Sequence, residues 1–224
     1  MMETVGEILR RGANGVWELC LSEAQIGQFE LFAELIVEWN ATRMNLTRLT
    51  SPREIAVKHF LDSLALLKAV DLPENSRLID VGTGPGLPGL ALKIVRPDLR
   101  VTLLDSTAKK LLFCRAAADA LGFPDVETVH ARAEDAAKMP NLAGQFDFAI
   151  ARAVAPLDRL LPWLAPFVPT GGQVIAMKGS NLAEEIAAAR PTVRRLGLML
   201  APPVSIALPE AEEETMRLIV VGRR

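Results

Sequence analysis

"RLIDVGTGPGLPGLALKIV", residues 77–95, decides how the chain is read. An apolar run suited to a buried strand leads into Gly82, Gly84, Gly86 and Gly89, and then into a second apolar run of helical character. Glycines at such a turn admit positive φ and let a ligand approach the backbone without meeting a Cβ. Gly84, Gly86 and Gly89 spell G-x-G-x-x-G, which by itself is a weak signal that fits a pyrophosphate on a helix N-terminus. An acid, Asp80, stands just before the first glycine. A carboxylate there repels a pyrophosphate and suits a ligand bearing an ammonium group and a sulfonium cation.

Outward from this loop the texture alternates. Strand candidates "RVTLLD", "VETVHA", "FDFAIA" and "GQVIAMK" follow "RLIDV", separated by helical stretches such as "STAKKLLFCRAAADALG" and "PLDRLLPWLAPFV". Five β segments separated by helices predict a parallel, doubly wound sheet. The tail differs: "VSIAL" and "MRLIVVG" are joined only by "PEAEEET". A parallel pair needs a connection of a dozen or more residues, so these two strands must pair antiparallel. The acidic run "EAEEE" at 210–214 reads as a solvated loop.

Upstream, the first seventy residues read as helix. Ser22 and Gln25 can form a capping box, and Ile26, Phe29, Phe32 and Ile36 recur at helical spacing. A second start lies at "SPREIAVKHFLDSLALLKAV", where Ser51 caps, Pro52 suits the first helical position and Glu54 completes the box. The expected organisation is a helical extension, residues 1–72, packed on an α/β domain, residues 73–224.

Of the 224 residues, 50% are hydrophobic and 23% charged, enough apolar material for one medium domain with a sizeable core. No apolar run reaches the length of a membrane span, and the N-terminus lacks a basic segment followed by an apolar core, so a soluble, cytoplasmic protein is expected. Cys20 and Cys114 stand apart, without a CxxC or a histidine cluster, so the expectation is reduced, buried thiols and no metal site. The formal net charge is −2, so a nucleic-acid partner would have to be met by a local basic patch.

The loop's two possible cofactors separate on these features. S-adenosylmethionine carries an ammonium and a sulfonium and has no phosphate, which fits Asp80. Asp105 ends the second strand about 20 residues after the loop, where a carboxylate accepts hydrogen bonds from ribose hydroxyls of either cofactor. An α/β sheet closing on an antiparallel hairpin is the ordering typical of class I (Rossmann-like) methyltransferases, with a mostly parallel seven-stranded sheet. The dinucleotide-dependent dehydrogenase sheet does not end that way. Methyl transfer is favoured.

Six segments carry a closer resemblance: "NLT" at 45–47, "KHFLDSL" at 58–64, "DVGTGPGLPGLALKI" at 80–94, "LLDS" at 103–106, "RAED" at 132–135 and "ARA" at 151–153. In order and spacing the chain resembles the bacterial glucose-inhibited division protein B family, from about Asn40 to Lys178. These are the small-subunit ribosomal RNA methyltransferases that make 7-methylguanosine. The resemblance implies S-adenosylmethionine as cofactor and 16S ribosomal RNA, or the small ribosomal subunit, as partner. It implies no DNA and no membrane partner, and a monomer is expected. Matched motif by motif, it implies cofactor contacts from Gly82, Leu87, Asp105, Ala133, Glu134 and Arg152. Asp80, Gly84 and Gly86 join them from the loop's own chemistry. Two departures stand out: "RAE" replaces the frequent "RVE", and Ala151 stands where the family often has serine.

The fourth strand ends in "FAIARAVAPL", without an Asn/Asp-Pro-Pro-aromatic motif or a nucleophilic cysteine. The position-7 nitrogen of guanine needs neither, because it has a lone pair and no proton to lose; alignment and desolvation carry such a displacement. Arg152 is the catalytic candidate, since a guanidinium presents two donors to a guanine's O6 edge or to a phosphate. The plain alternative is a surface arginine paired to Asp158. His59, Asp62 and Ser63 share a helix face, but without a G-x-S-x-G elbow they read as a hydrogen-bonded support for the N-terminal helices. Arg43, Arg48, Arg53, Lys58, Lys109, Lys110, Arg115 and Lys178 are the charges available to track phosphates. The rival readings are a small-molecule methyltransferase, an NAD(P)-dependent oxidoreductase and a non-catalytic RNA-binding protein.

Overall fold

Three capping boxes start the N-terminal helices. In the computed structural model, which describes residues 3–179, 182–211 and 215–224, Thr4–Glu7, Ser22–Gln25 and Ser51–Glu54 each exchange both capping hydrogen bonds. Helix α1 (Val5–Leu9) runs on as a π-helix through Arg10–Val16, and α2 spans Glu23–Thr42. A nearly continuous helical run follows: α3 (Pro52–Glu54), a π-helical stretch (Ile55–Leu61), α4 (Asp62–Leu64) and α5 (Leu66–Ala69). The helical expectation holds for this region, with π turns that periodicity does not reveal. Ile26, Phe29, Phe32 and Ile36 are all fully buried, as their spacing predicts.

The alternating part then unfolds in chain order. It comprises β1 (Arg77–Val81), α6 (Gly89–Val95), β2 (Arg100–Asp105), α7 (Ala108–Ala120), β3 (Glu127–His130) and α8 (Ala133–Ala136). After these come β4 (Phe148–Arg152), α9 (Leu157–Leu164), β5 (Gln173–Lys178) and α10 (Leu182–Leu196). Strands β6 (Met199–Leu200), β7 (Val204–Ala207) and β8 (Met216–Arg223) close the chain.

The sheet order is β3-β2-β1-β4-β5-β8-β6, with β7 also on β8. Strands β1 to β5 pair parallel, and β8 pairs antiparallel with β5, β6 and β7. The expected hairpin is β7–β8. The expected strand count of seven becomes eight, because β6 and β7 lie along the same edge of β8 and are separated by Pro202 and Pro203. Proline has no N–H for a ladder, so one edge strand is cut into two.

Two apolar cores sandwich the sheet. One joins α1, α2 and the second helical run to α6 and α7, centred on Phe29, Phe32, Phe60 and Phe113. Phe60 lies 4.9 Å from Phe29 and 5.4 Å from Phe32, ring centroid to centroid, within the range of favourable aromatic pairs. The other core lies under α8, α9 and α10. Because the first core is shared, the N-terminal helices bury their apolar faces directly on the α/β part.

The acidic run is not a uniformly solvated loop. Glu210 is not solvated: its side chain is 19% exposed and sits 2.8 Å from the guanidinium of Arg11. Residues 212–214 of that run lie outside the described residues. Cys114 is buried, as expected, whereas Cys20 is exposed, on the connection between two helices where no apolar layer covers it.

Candidate functional site

Parallel strands deliver their carboxyl ends to one edge of the sheet, where open α/β folds bind ligands. The carboxyl ends of β1, β2 and β4 lie side by side there, with Val81 opposite Leu104 and Asp80 opposite Ile150. The glycine loop leaves β1 at this edge. Asp80 turns under it: Oδ2 accepts from the Thr83 hydroxyl at 2.7 Å and from the Gly89 N–H at 2.9 Å. Its other oxygen, Oδ1, is buried with no protein partner. Burial pushes the Asp80 carboxyl up to about 6, against the pull of the Thr83 and Gly89 hydrogen bonds.

Two glycines are required for different reasons. Gly84 has φ +58 and open space where a Cβ would point. At Gly89 a Cβ would stand 2.5 Å from Leu103 and 3.0 Å from Asp80 Oδ2, so only glycine lets α6 start this close to the sheet. Asp105 locks the loop from the next strand. Its two oxygens accept from the N–H groups of Gly84 at 3.0 Å and Thr107 at 2.8 Å.

A cavity of about 380 Å³ opens here, within the usual range for small-ligand sites. Gly82, Asp105, Ala133, Glu134 and Arg152 share its wall, so five sequence-predicted residues from four separate segments meet in one place. Asp80, Gly84, Gly86 and Leu87 are not on that wall. Asp80 is buried beneath the loop, Gly86 and Leu87 are buried within it, and Gly84 is half-buried. Sequence reasoning missed Trp163, which lines the cavity from α9. The available signal was its place just off the helically spaced stripe Leu157, Leu160, Leu161 and Leu164; in the structure that stripe is buried and Trp163 is half-buried. Ala153, next to Arg152 on the wall, has φ +53, a conformation non-glycine residues rarely adopt and one that clusters at functional sites.

S-adenosylmethionine fits these residues. Asp105 keeps unused lone pairs at the end of β2 for ribose hydroxyls, and the orphaned Asp80 oxygen keeps an acceptor for a cation. The open side of Gly84 leaves the backbone approachable.

Arg152 does not pair with Asp158. Its Nη1 donates to Asp62 Oδ2 at 2.8 Å and to the Lys58 carbonyl at 3.0 Å. Arg217, from β8, donates through Nε to the other Asp62 oxygen. His59 and Ser63 do support the N-terminal run, though not by bonding Asp62. His59 Nε2 meets Thr47 Oγ1 at 3.0 Å, and Ser63 Oγ donates to the His59 carbonyl. Burial, aided by the Arg152 charge, pushes the His59 imidazole down to about 4, so it stays neutral near pH 7.

The basic residues divide. Lys178 is buried, donating to the Ala155 carbonyl and pairing with Glu185 at 2.7 Å, and it braces the fold rather than facing a phosphate. Arg53 pairs with Glu3, and Arg115 donates to the Val126 carbonyl. Arg43 lies over the Trp39 ring but is exposed, as are Arg48, Lys58 and Lys109. Lys110 lines the cavity.

Comparison with known proteins agrees with this geometry. The "Ribosomal RNA small subunit methyltransferase G" of Pelotomaculum thermopropionicum is 42% identical over 223 residues, covering 100% of this chain and 92% of its own. That of Desulfitobacterium hafniense is 43% identical over 195 residues, 87% of this chain and 78% of its own. Among solved structures, a SAM dependent methyltransferase from Aquifex aeolicus shares the fold with a TM-score of 0.57 at 18% identity, covering 80% of this chain and 97% of its own. Residues 25–201 match the GidB family, described as rRNA small subunit methyltransferase G. The chain belongs to the GidB family of small-subunit ribosomal RNA methyltransferases.

Proposed function

We infer that this protein transfers a methyl group from S-adenosylmethionine to the position-7 nitrogen of a guanine in 16S ribosomal RNA. The observation that carries the reading is the meeting of Gly82, Asp105, Glu134 and Arg152 on one cavity, in a chain of this family. In this reading residues 1–72 are a helical extension and 73–224 the methyltransferase domain, acting as a monomer in the cytoplasm. Among the described residues no helix is long and apolar enough to cross a membrane.

Bound S-adenosylmethionine supplies an electrophilic methyl on its sulfonium. Asp105 would accept from its ribose hydroxyls. Ala133 and Glu134 on the cavity wall would help hold the cofactor, and the Asp80 carboxylate beneath the Gly82–Leu87 loop, which carries Gly84 and Gly86, would balance its ammonium. Arg152 orients the guanine through its O6 edge. Since the accepting nitrogen has no proton to lose, the chain needs no general base there. Orientation in a site shielded from water is its contribution.

Single-turnover methylation of small subunits at saturating cofactor tests the assignment. Arg152→Ala and Arg152→Lys should each slow transfer by about 10²-fold while most cofactor affinity persists, because lysine lacks the planar fork. Wild-type turnover in Arg152→Ala would remove the residue from the site. Parallel loss of affinity and rate would make it a brace for the cofactor alone.

A further inference from the structure

We propose that Asp62 is a positioning residue for methyl transfer: its one carboxylate fixes the guanidinium groups of Arg152 and Arg217 relative to each other across two cavities. The inference rests on the methyl-transfer reading above. Asp62 sits on α4 with its side chain 3% exposed, and each oxygen is taken by a different arginine. Those arginines come from the ends of β4 and β8, 90 and 155 residues away in the chain. Their side chains are only 11% and 17% exposed.

The arrangement has a direction. Arg152 lines the cofactor cavity, whereas Asp62 and Arg217 line a neighbouring cavity of about 770 Å³ together with Ser51 and Lys58. The carboxylate therefore joins a guanidinium on the cofactor side to one on the other side. Among the described residues both guanidinium groups bond the Asp62 carboxylate, the Lys58 carbonyl adds a neutral acceptor, and Glu54 and Glu210 line the second cavity beside them. His59, the next titratable group on this run, stays uncharged near pH 7. A guanidinium has more donors than one carboxylate oxygen can take, and in a poorly solvated place the remaining ones favour a further acceptor or anion from a substrate that enters. Asp62 sets where those donors point without touching the reacting atoms itself.

A bracing role for the N-terminal helices alone makes a different prediction, and two variants separate them. Asp62→Asn removes the charge at constant size, and Asp62→Glu keeps the charge but moves it by one methylene. Cofactor affinity, thermal melting and the single-turnover rate on small subunits, at saturating cofactor and well below the melting point, are measured for each. Both variants should bind cofactor within about threefold of wild type and transfer methyl about tenfold or more slowly, since displacements near 1 Å can cost that much or more. Asp62→Glu should do so with a nearly normal melting point. A wild-type rate in folded Asp62→Glu, or rates that fall in step with cofactor affinity, would overturn the proposal. So would loss of the fold in both variants, which would assign Asp62 to stability alone. Wild-type protein that fails to methylate small subunits would instead defeat the underlying functional reading.

Discussion

The glycine loop and the Asp62 ion triad border the same cavity system and are assembled in opposite ways. In the loop, Asp80 holds Thr83 three residues away and Gly89 nine away, and Asp105 reaches Gly84 across 21 residues. In the triad, Asp62 holds partners 90 and 155 residues away, on strands that come together only when the sheet forms. The loop is specified by local chemistry, namely glycines where a Cβ would be strained or would collide and a carboxylate placed to cap N–H groups. The triad is specified by topology. A site can therefore keep a legible cofactor half beside a half that no short motif announces.

The largest expected effect breaks the loop and leaves the triad. Gly84→Val places a β-branched side chain at φ +58, a strained backbone by about 1–3 kcal/mol, and fills the open approach to the loop. Calorimetry should detect no S-adenosylmethionine binding in a folded variant. Unchanged affinity would mean the cofactor does not lie against Gly84.

An intermediate effect sets the two regions against each other through pH. Asp80, in the loop, is raised from 3.8 to about 6, so the folded state holds its proton longer than the unfolded one. Its contribution is full below about pH 4 and is lost as pH rises through 6, on the order of 3 kcal/mol. His59, beside the triad, is lowered from 6.5 to about 4, so the unfolded state takes up its proton first. Its contribution is full above 6.5 and is lost as pH falls through 4, again on the order of 3 kcal/mol. In wild type the two slopes oppose each other between pH 4 and 6. Asp80→Asn should expose the His59 slope, with urea stability climbing as pH rises from 4.5 to 6.5. A variant curve parallel to that of wild type would mean that Asp80 titrates normally.

The smallest effect touches neither region's side-chain bonds. Neutralising Arg43, Arg48 and Lys58 together should flatten the log–log salt dependence of RNA binding by about 2 to 3, the count of phosphate contacts removed. Cofactor affinity should stay nearly constant. An unaltered slope would take these three exposed charges off the RNA-binding surface.

By itself the sequence determined the parallel α/β order, the terminal hairpin, the two helix starts at Ser22 and Ser51, and the loop with its acids. Each of these rests on periodicity, capping or turn chemistry within a few residues, where the backbone's own preferences decide. The resemblance named Gly82, Leu87, Asp105, Ala133, Glu134 and Arg152, and all of these but Leu87 meet on one cavity wall, at or after the carboxyl ends that a parallel sheet aligns; Asp80, Gly84 and Gly86, named from the loop's chemistry, do not reach that wall. Only the tertiary structure decided what those residues face. It turned Arg152 toward Asp62 instead of Asp158, brought Arg217 to the same carboxylate and buried Lys178 against Glu185. It also split the edge strand at Pro202–Pro203 and set Trp163 in the cavity wall. The physical reason is the range of the forces involved. A cap or a glycine turn is satisfied by its chain neighbours, whereas a buried charge takes its partner from whichever distant segment the packed sheet and helices bring within hydrogen-bonding reach.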